Sequence, residues 1–219
     1  MADMADRSVR AEQVRATREL IRNTAERLFA ERGVYAVSNR QISEAAGQGN
    51  TAVVGYHFGT KADLVRAIAR HHAERVEHLT VRLLAEADGS AELRDWVGCL
   101  VRPWPEYLAE LGSPTWYARF CAQVLVDPVL NEIVVDETLT SPALRQVLDG
   151  LHRCLPDLPA AVRAERTAMT RNVILHMCAE RERDLALGAT TPRSSWNDAA
   201  TGLVDAIVGL WTAPVTDAS

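Results

Sequence analysis

The chain has 219 residues, 47% of them hydrophobic and 24% charged, with a net charge of −5. That balance excludes general disorder and allows a sizeable core in one or two domains. No apolar run approaches the ~20 residues that span a bilayer, and the polar start MADMADRSVRAEQVRATRE is unlike a signal peptide, so a cytoplasmic protein without a membrane partner is expected.

Residues 1–13 are polar and read as a disordered N-terminal arm. Over 18–32, Leu20, Ile21, Ala25, Leu28 and Phe29 fall at the spacing of one helix face, and Gly33 supplies a stop. Ser38, with Gln41 three residues on, is a capping-box pattern. It opens a short helix with Ile42, Ala45 and Ala46 inward, ended by Gly47. Gln48, Gly49 and Asn50 make a tight turn, and 51–56 is a second short helix. Thr60 caps a long helix over 61–86, striped by Leu64, Ile68, Val76, Leu79 and Leu83. After the break at Asp88-Gly89-Ser90, helix is expected over 91–101, 107–111, 114–125, 128–138, 142–155, 159–187 and 196–211. Pro103 and Pro105 are expected to interrupt the backbone, whereas Pro114, Pro128 and Pro142 each follow Ser or Asp, as in a first helical turn. No strand pattern persists, so the fold class is all-α.

Two short helices joined by a glycine turn and braced by a preceding helix describe a helix-turn-helix, whose second helix can enter the DNA major groove. The charge distribution agrees with that reading. Residues 1–70 carry 11 Lys and Arg against 8 Asp and Glu, whereas 71–219 carry 13 against 21. A basic N-terminal module followed by an acidic remainder suits a polyanion partner at one end only. Asn50, Thr51 and Ala52 lie at the front of the second helix, where base edges are reached, and Gly55 permits close approach. Tyr56 and His57 can donate to phosphates, and Lys61, the only lysine in the chain, can neutralise one. Ser38, Arg40 and Gln41 open the preceding helix and can touch the backbone of the duplex.

These residues resemble the N-terminal domain of TetR/AcrR-type transcriptional regulators. The features that carry the resemblance are Ala25, Leu28, Phe29 and Gly33; Ile42, Ala46 and Gly47; and Tyr56, His57, Phe58, Thr60 and Lys61. Two features depart from the family pattern: the turn from Gly47 to Thr51 is one residue longer, and Gly55 replaces a larger side chain. The resemblance implies a helix-turn-helix DNA-binding domain over 14–60 and a helical effector-binding and dimerisation domain over 61–219. It further implies a homodimeric repressor released from double-stranded operator DNA by a small-molecule effector, with the 61–86 helix as the lever between the two parts.

In the last helix, Ala199, Gly202, Ala206 and Gly209 form a small-residue stripe, and Leu203, Val204, Ile207, Val208 and Leu210 cover most of the remaining circumference. Such a helix is buried on nearly all sides, either as a core helix of a monomer or against a second subunit. The 159–187 helix, with Met169, Val173, Ile174, Met177 and Cys178, is its natural neighbour in a twofold four-helix interface. Trp104, Tyr107, Trp116, Tyr117 and Phe120 concentrate aromatics where prolines fall; they either line an effector cavity or fill the core. Arg119 is the candidate partner for an effector carboxylate.

Four scattered cysteines form no CxxC pair, and His152/Cys154 and His176/Cys178 stand two apart, where helical side chains diverge, so neither metal nor cofactor is expected. No GxSxG, Walker, HExxH or GxGxxG motif occurs, which leaves catalysis unsupported. The competing reading is a helical ligand-binding or scaffold protein that binds no operator.

Overall fold

The computed structural model describes residues 2–139 and 141–215, and side-chain environments from residue 9 onward apart from 136, 138 and 139. The described residues contain eleven α-helices and no strand. Helices α1 (Ala2–Arg32), α2 (Asn39–Ala45) and α3 (Val53–Phe58) form the head. The long α4 (Lys61–Ala87) leads into the body. The body comprises α5 (Leu93–Val101), α6 (Pro103–Leu111), α7 (Tyr117–Leu125), α8 (Pro128–Leu139), α9 (Pro142–Arg153), α10 (Ala160–Ala186) and α11 (Trp196–Thr212).

In place of a disordered arm over 1–13, α1 begins at Ala2. Residues 2–32 contain neither Gly nor Pro and are rich in Ala, Arg and Glu, so a helix nucleated against the head propagates outward at little cost. Ile21, Ala25, Leu28 and Phe29 are buried as their spacing predicts, but Leu20 is exposed. In α2 both arms of the Ser38–Gln41 capping box form. Its inner face is Ile42, Ser43 and Ala46, and Ala45 faces solvent. Buried Ser43 donates its hydroxyl to Asn39 O at 3.0 Å or Thr51 O at 3.3 Å, which ties α2 to the turn. Asn50 Oδ1 accepts from Ala52 N at 2.9 Å. That local bond holds residues 51–52 as a turn, so α3 starts at Val53, two residues later than expected.

The two prolines of RPWPEY divide α5 from α6 at Arg102, as expected, and themselves occupy the first turn of α6, where no intrahelical N–H is required. Pro114 lies outside α7, which starts at Tyr117. α7 packs between α1 and α10 and so joins head to body. Phe120 of α7 is fully buried and stacks near Phe29 of α1 at 6.3 Å between ring centroids.

Buried polar clamps fix the body. The Glu182 carboxylate on α10 accepts from Ala118 N at 3.2 Å, Arg119 N at 2.9 Å and Arg119 Nε at 3.0 Å. It thereby satisfies two of the orphan donors at the start of α7. Burial raises its pKa, and these donors oppose that shift. Arg166 donates to Trp211 O and Ala213 O at 2.6 Å each and closes the C-terminus of α11. Gly150 lets α9 approach α5: a Cβ there would lie 2.1 Å from the Trp96 ring.

Candidate nucleic-acid interface

The recognition-helix candidate α3 has an inner and an outer side. Val54 and Phe58, four apart, are buried in the head, whereas Gly55 and Tyr56 face solvent. Tyr56 is 83% exposed and has its hydroxyl free for a partner outside the head. A large aromatic held this far out on a six-residue helix adds nothing to the core. Asn50, Thr51 and Ala52 are exposed at its leading end, in the turn rather than in helix. A Cβ added to Gly55 would meet nothing within 4 Å, so its bareness serves no packing within the chain. His57 is half-buried and edge-on to Tyr56 at 5.1 Å.

Ser38, Arg40 and Gln41 are exposed at the start of α2. Ser38 and Gln41 spend their side chains on the capping box, and Arg40 Nε bonds Glu44 at 2.7 Å. Arg40 is therefore already paired within the chain.

Lys61 differs from expectation. Its ammonium donates to Val34 O at 3.0 Å and Val37 O at 2.7 Å, in the loop between α1 and α2. Partial burial lowers its pKa from the ordinary lysine value. The chain's one lysine is therefore first a clamp on that loop, with a single donor left over for a phosphate. A planar guanidinium is less suited to two converging carbonyls than a point charge on a flexible stem.

A residue missed in the sequence reading is Arg18. It donates to His57 O, at the end of α3, at 2.9 Å and lies over the Phe58 ring at 4.6 Å. No local pattern signals it, because its partners are about 40 residues away.

The aromatics of 104–120, open between cavity lining and core, stack on one another. Trp104 lies parallel to Tyr117 at 5.3 Å, and Tyr117 stacks on His72 at 3.7 Å and near Phe120 at 6.4 Å. Tyr107, Tyr117 and Phe120 are buried, and Trp104 and Trp116 half-buried. Arg119 is held by Glu182 and by Thr115 O at 2.8 Å, and is not a free anchor for a carboxylate. An open cleft of about 610 Å³ runs along α4 and α9 past Glu77, Val81, Leu84 and Gln146. The aromatic cluster lines neither it nor a second cleft of about 320 Å³ beside α5.

His72 bridges head and body. Its Nε2 lies 2.8 Å from Glu26 of α1 and its Nδ1 2.6 Å from the Tyr107 hydroxyl of α6. Burial pushes the Tyr107 hydroxyl up to about 12, and which ring nitrogen of His72 donates follows its tautomer.

On α11, Ala200, Leu203, Val204, Ile207 and Trp211 enter the chain's own core. Ala206 and Gly209 are exposed, and Ala199 and Gly202 half-buried. On α10, Met169 is 44% and Met177 50% exposed, with Val173 half-buried. The small-residue stripe thus lies outside the core of one chain. Among the described residues no group of three or more His, Cys, Asp or Glu side chains could hold a metal ion, and no helix is long and apolar enough to cross a membrane.

Comparison with known proteins agrees with this geometry. The HTH-type transcriptional regulator TtgR of Pseudomonas putida is 36% identical over 89 residues, a match that spans 41% of this chain and 40% of the length of that relative. The solved structure of the multidrug binding protein EbrR with imidazole superposes with a TM-score of 0.53 at 20% identity, over 91% of this chain and 97% of that one. The regulator PfmR from Thermus thermophilus gives 0.51 at 16% identity, over 91% and 97%. Residues 21–68 match the family described as bacterial regulatory proteins, tetR family, and residues 98–209 the tetracyclin repressor-like C-terminal domain. With both halves matched, the chain belongs to the TetR family of bacterial regulators.

Proposed function

We propose that the chain is a DNA-binding transcriptional regulator, a homodimeric repressor that leaves its operator when a small-molecule effector binds. The observation that carries this reading is the exposed row of Asn50, Thr51, Ala52, Gly55 and Tyr56 on a helix-turn-helix whose opposite side is core. It is a binding role and requires no catalytic group. The exposed α10 and α11 stripe supports pairing of two chains. Pairing would let two heads reach successive major grooves, about 34–36 Å apart. Lys61, His57 and Arg40 would contribute at the phosphate backbone.

For the effector we favour the aromatic cluster around Tyr117, which would have to open beside half-buried Trp104 so that a flat apolar ligand replaces one ring–ring contact with another. Tyr117 stacks on His72, and His72 holds Glu26 of α1, so displacement there reaches the head along α4 and α1.

The test is a mobility-shift titration of the full chain on duplexes selected from a random library, across a salt series. A specific complex that weakens steeply with salt is expected. Absence of any complex at low salt would instead favour the ligand-binding or scaffold reading. Gly209→Leu, at a position with nothing within 4 Å of the added Cβ, should leave the single chain folded and split the dimer. Sedimentation showing an intact dimer would remove the stripe from the interface.

A further inference from the structure

The outward end of α1 has no role in the core, since residues 9–16 are all exposed. Arg10, Arg15 and Arg18 fall within an arc of about 140° at 3.6 residues per turn. Glu12 and Glu19 lie together on its flank rather than within it. Among the described residues neither Arg10 nor Arg15 has an acidic partner at ion-pair distance. Arg18 fixes where this row begins, because it touches the carbonyl of His57 at the end of the recognition helix. The row therefore continues the nucleic-acid face outward over about 12 Å of helix.

We propose that this arginine row on the extension of α1 is a second, sequence-independent contact with the sugar–phosphate backbone of the DNA flanking the bases met by α3. Two observations select that occupant: the row is cationic, with its acids set aside, and it is continuous with the face around α3. A duplex carries about one negative charge per 1.7 Å of axis, so a row this long spans several phosphates. Guanidinium groups suit phosphate oxygens through paired N–H donors. The extension thus adds affinity and salt dependence without adding sequence preference.

This inference rests on the regulator reading, and the experiment separates the two. Arg10→Ala/Arg15→Ala in the full chain is compared with the unaltered chain, and with Arg145→Ala/Arg153→Ala, which removes the same charge from exposed positions of α9. Binding to a duplex selected by the unaltered chain is measured across salt, with far-UV circular dichroism as a check on folding. The arm variant should show a log–log salt slope shallower by about 1–2 and weaker binding to all duplexes alike, with the α9 variant unchanged. If the unaltered chain binds with a steep slope and the arm variant keeps that slope, the inference falls and the regulator reading stands. An equal loss in both variants would show only a net-charge effect and would also overturn it. Failure of the unaltered chain to select any duplex would sink the regulator reading itself.

Discussion

In the head, Asn50, Thr51 and Tyr56 stand in solvent, and the bonds that surround them are local caps and turns. In the body Arg119, Glu182 and Arg166, and on α4 His72, are partly or fully buried, and each is held by partners on another element. Both regions are all-helical, yet the first leaves Thr51 and Tyr56 open to a partner whereas the second uses its buried polar groups to fix helices in place. Candidate ligand-binding residues therefore stand apart from structural ones through burial and partners, not residue type. Arg119 and Arg18 illustrate this: one is consumed by a buried carboxylate, and the other links the base of an exposed row to α3.

The largest expected effect breaks the body. Glu182→Leu leaves the Arg119 guanidinium and the first N–H groups of α7 without their acceptor, and should cost about 3–5 kcal/mol by urea denaturation. A loss under about 1 kcal/mol would mean that the clamp is not structural. Next, Tyr56→Ala in the head should reduce DNA affinity about 10–100-fold, the range for a hydrogen bond to a charged group. Its melting temperature should match that of the parent, since the side chain is 83% exposed; a clear drop would place Tyr56 in the fold.

Lys61→Met tests the one residue that sits between the two classes. With two backbone carbonyls losing their donor, stability should fall by about 1–2 kcal/mol, and DNA binding at a temperature where the chain is folded should change less than in Tyr56→Ala. Unchanged stability with a shallower salt slope would return Lys61 to the phosphate role. The smallest effect is chemical. Burial pushes the Cys99 thiol up to about 11 and the Cys178 thiol up to about 12, and raises Cys121 further. Mass spectrometry after brief alkylation of the native chain at neutral pH should show a single label, on half-buried Cys154. Labelling of Cys121 or Cys178 would show that the body opens readily.

The head was largely legible because its signals are local. The Ser38–Gln41 and Thr60–Asp63 caps and the buried series Ile21, Ala25, Leu28 and Phe29 all act within a few residues of one another. Where local reading failed, a specific bond or a bare propensity won. The Asn50 side chain delays the start of α3, and the α1 extension is decided by propensity alone.

By itself the sequence determined the all-helical class and the helix-turn-helix, because periodicity and capping are properties of neighbouring residues. Only the tertiary structure decided that Lys61 clamps a loop, that Arg119 belongs to Glu182, that the aromatics of 104–120 stack as core, and that His72 joins α1 to α6. Each of those outcomes depends on partners distant in the chain, as far as 63 residues apart for Arg119 and Glu182. Pairing over such distances is set by how whole helices pack rather than by any local pattern.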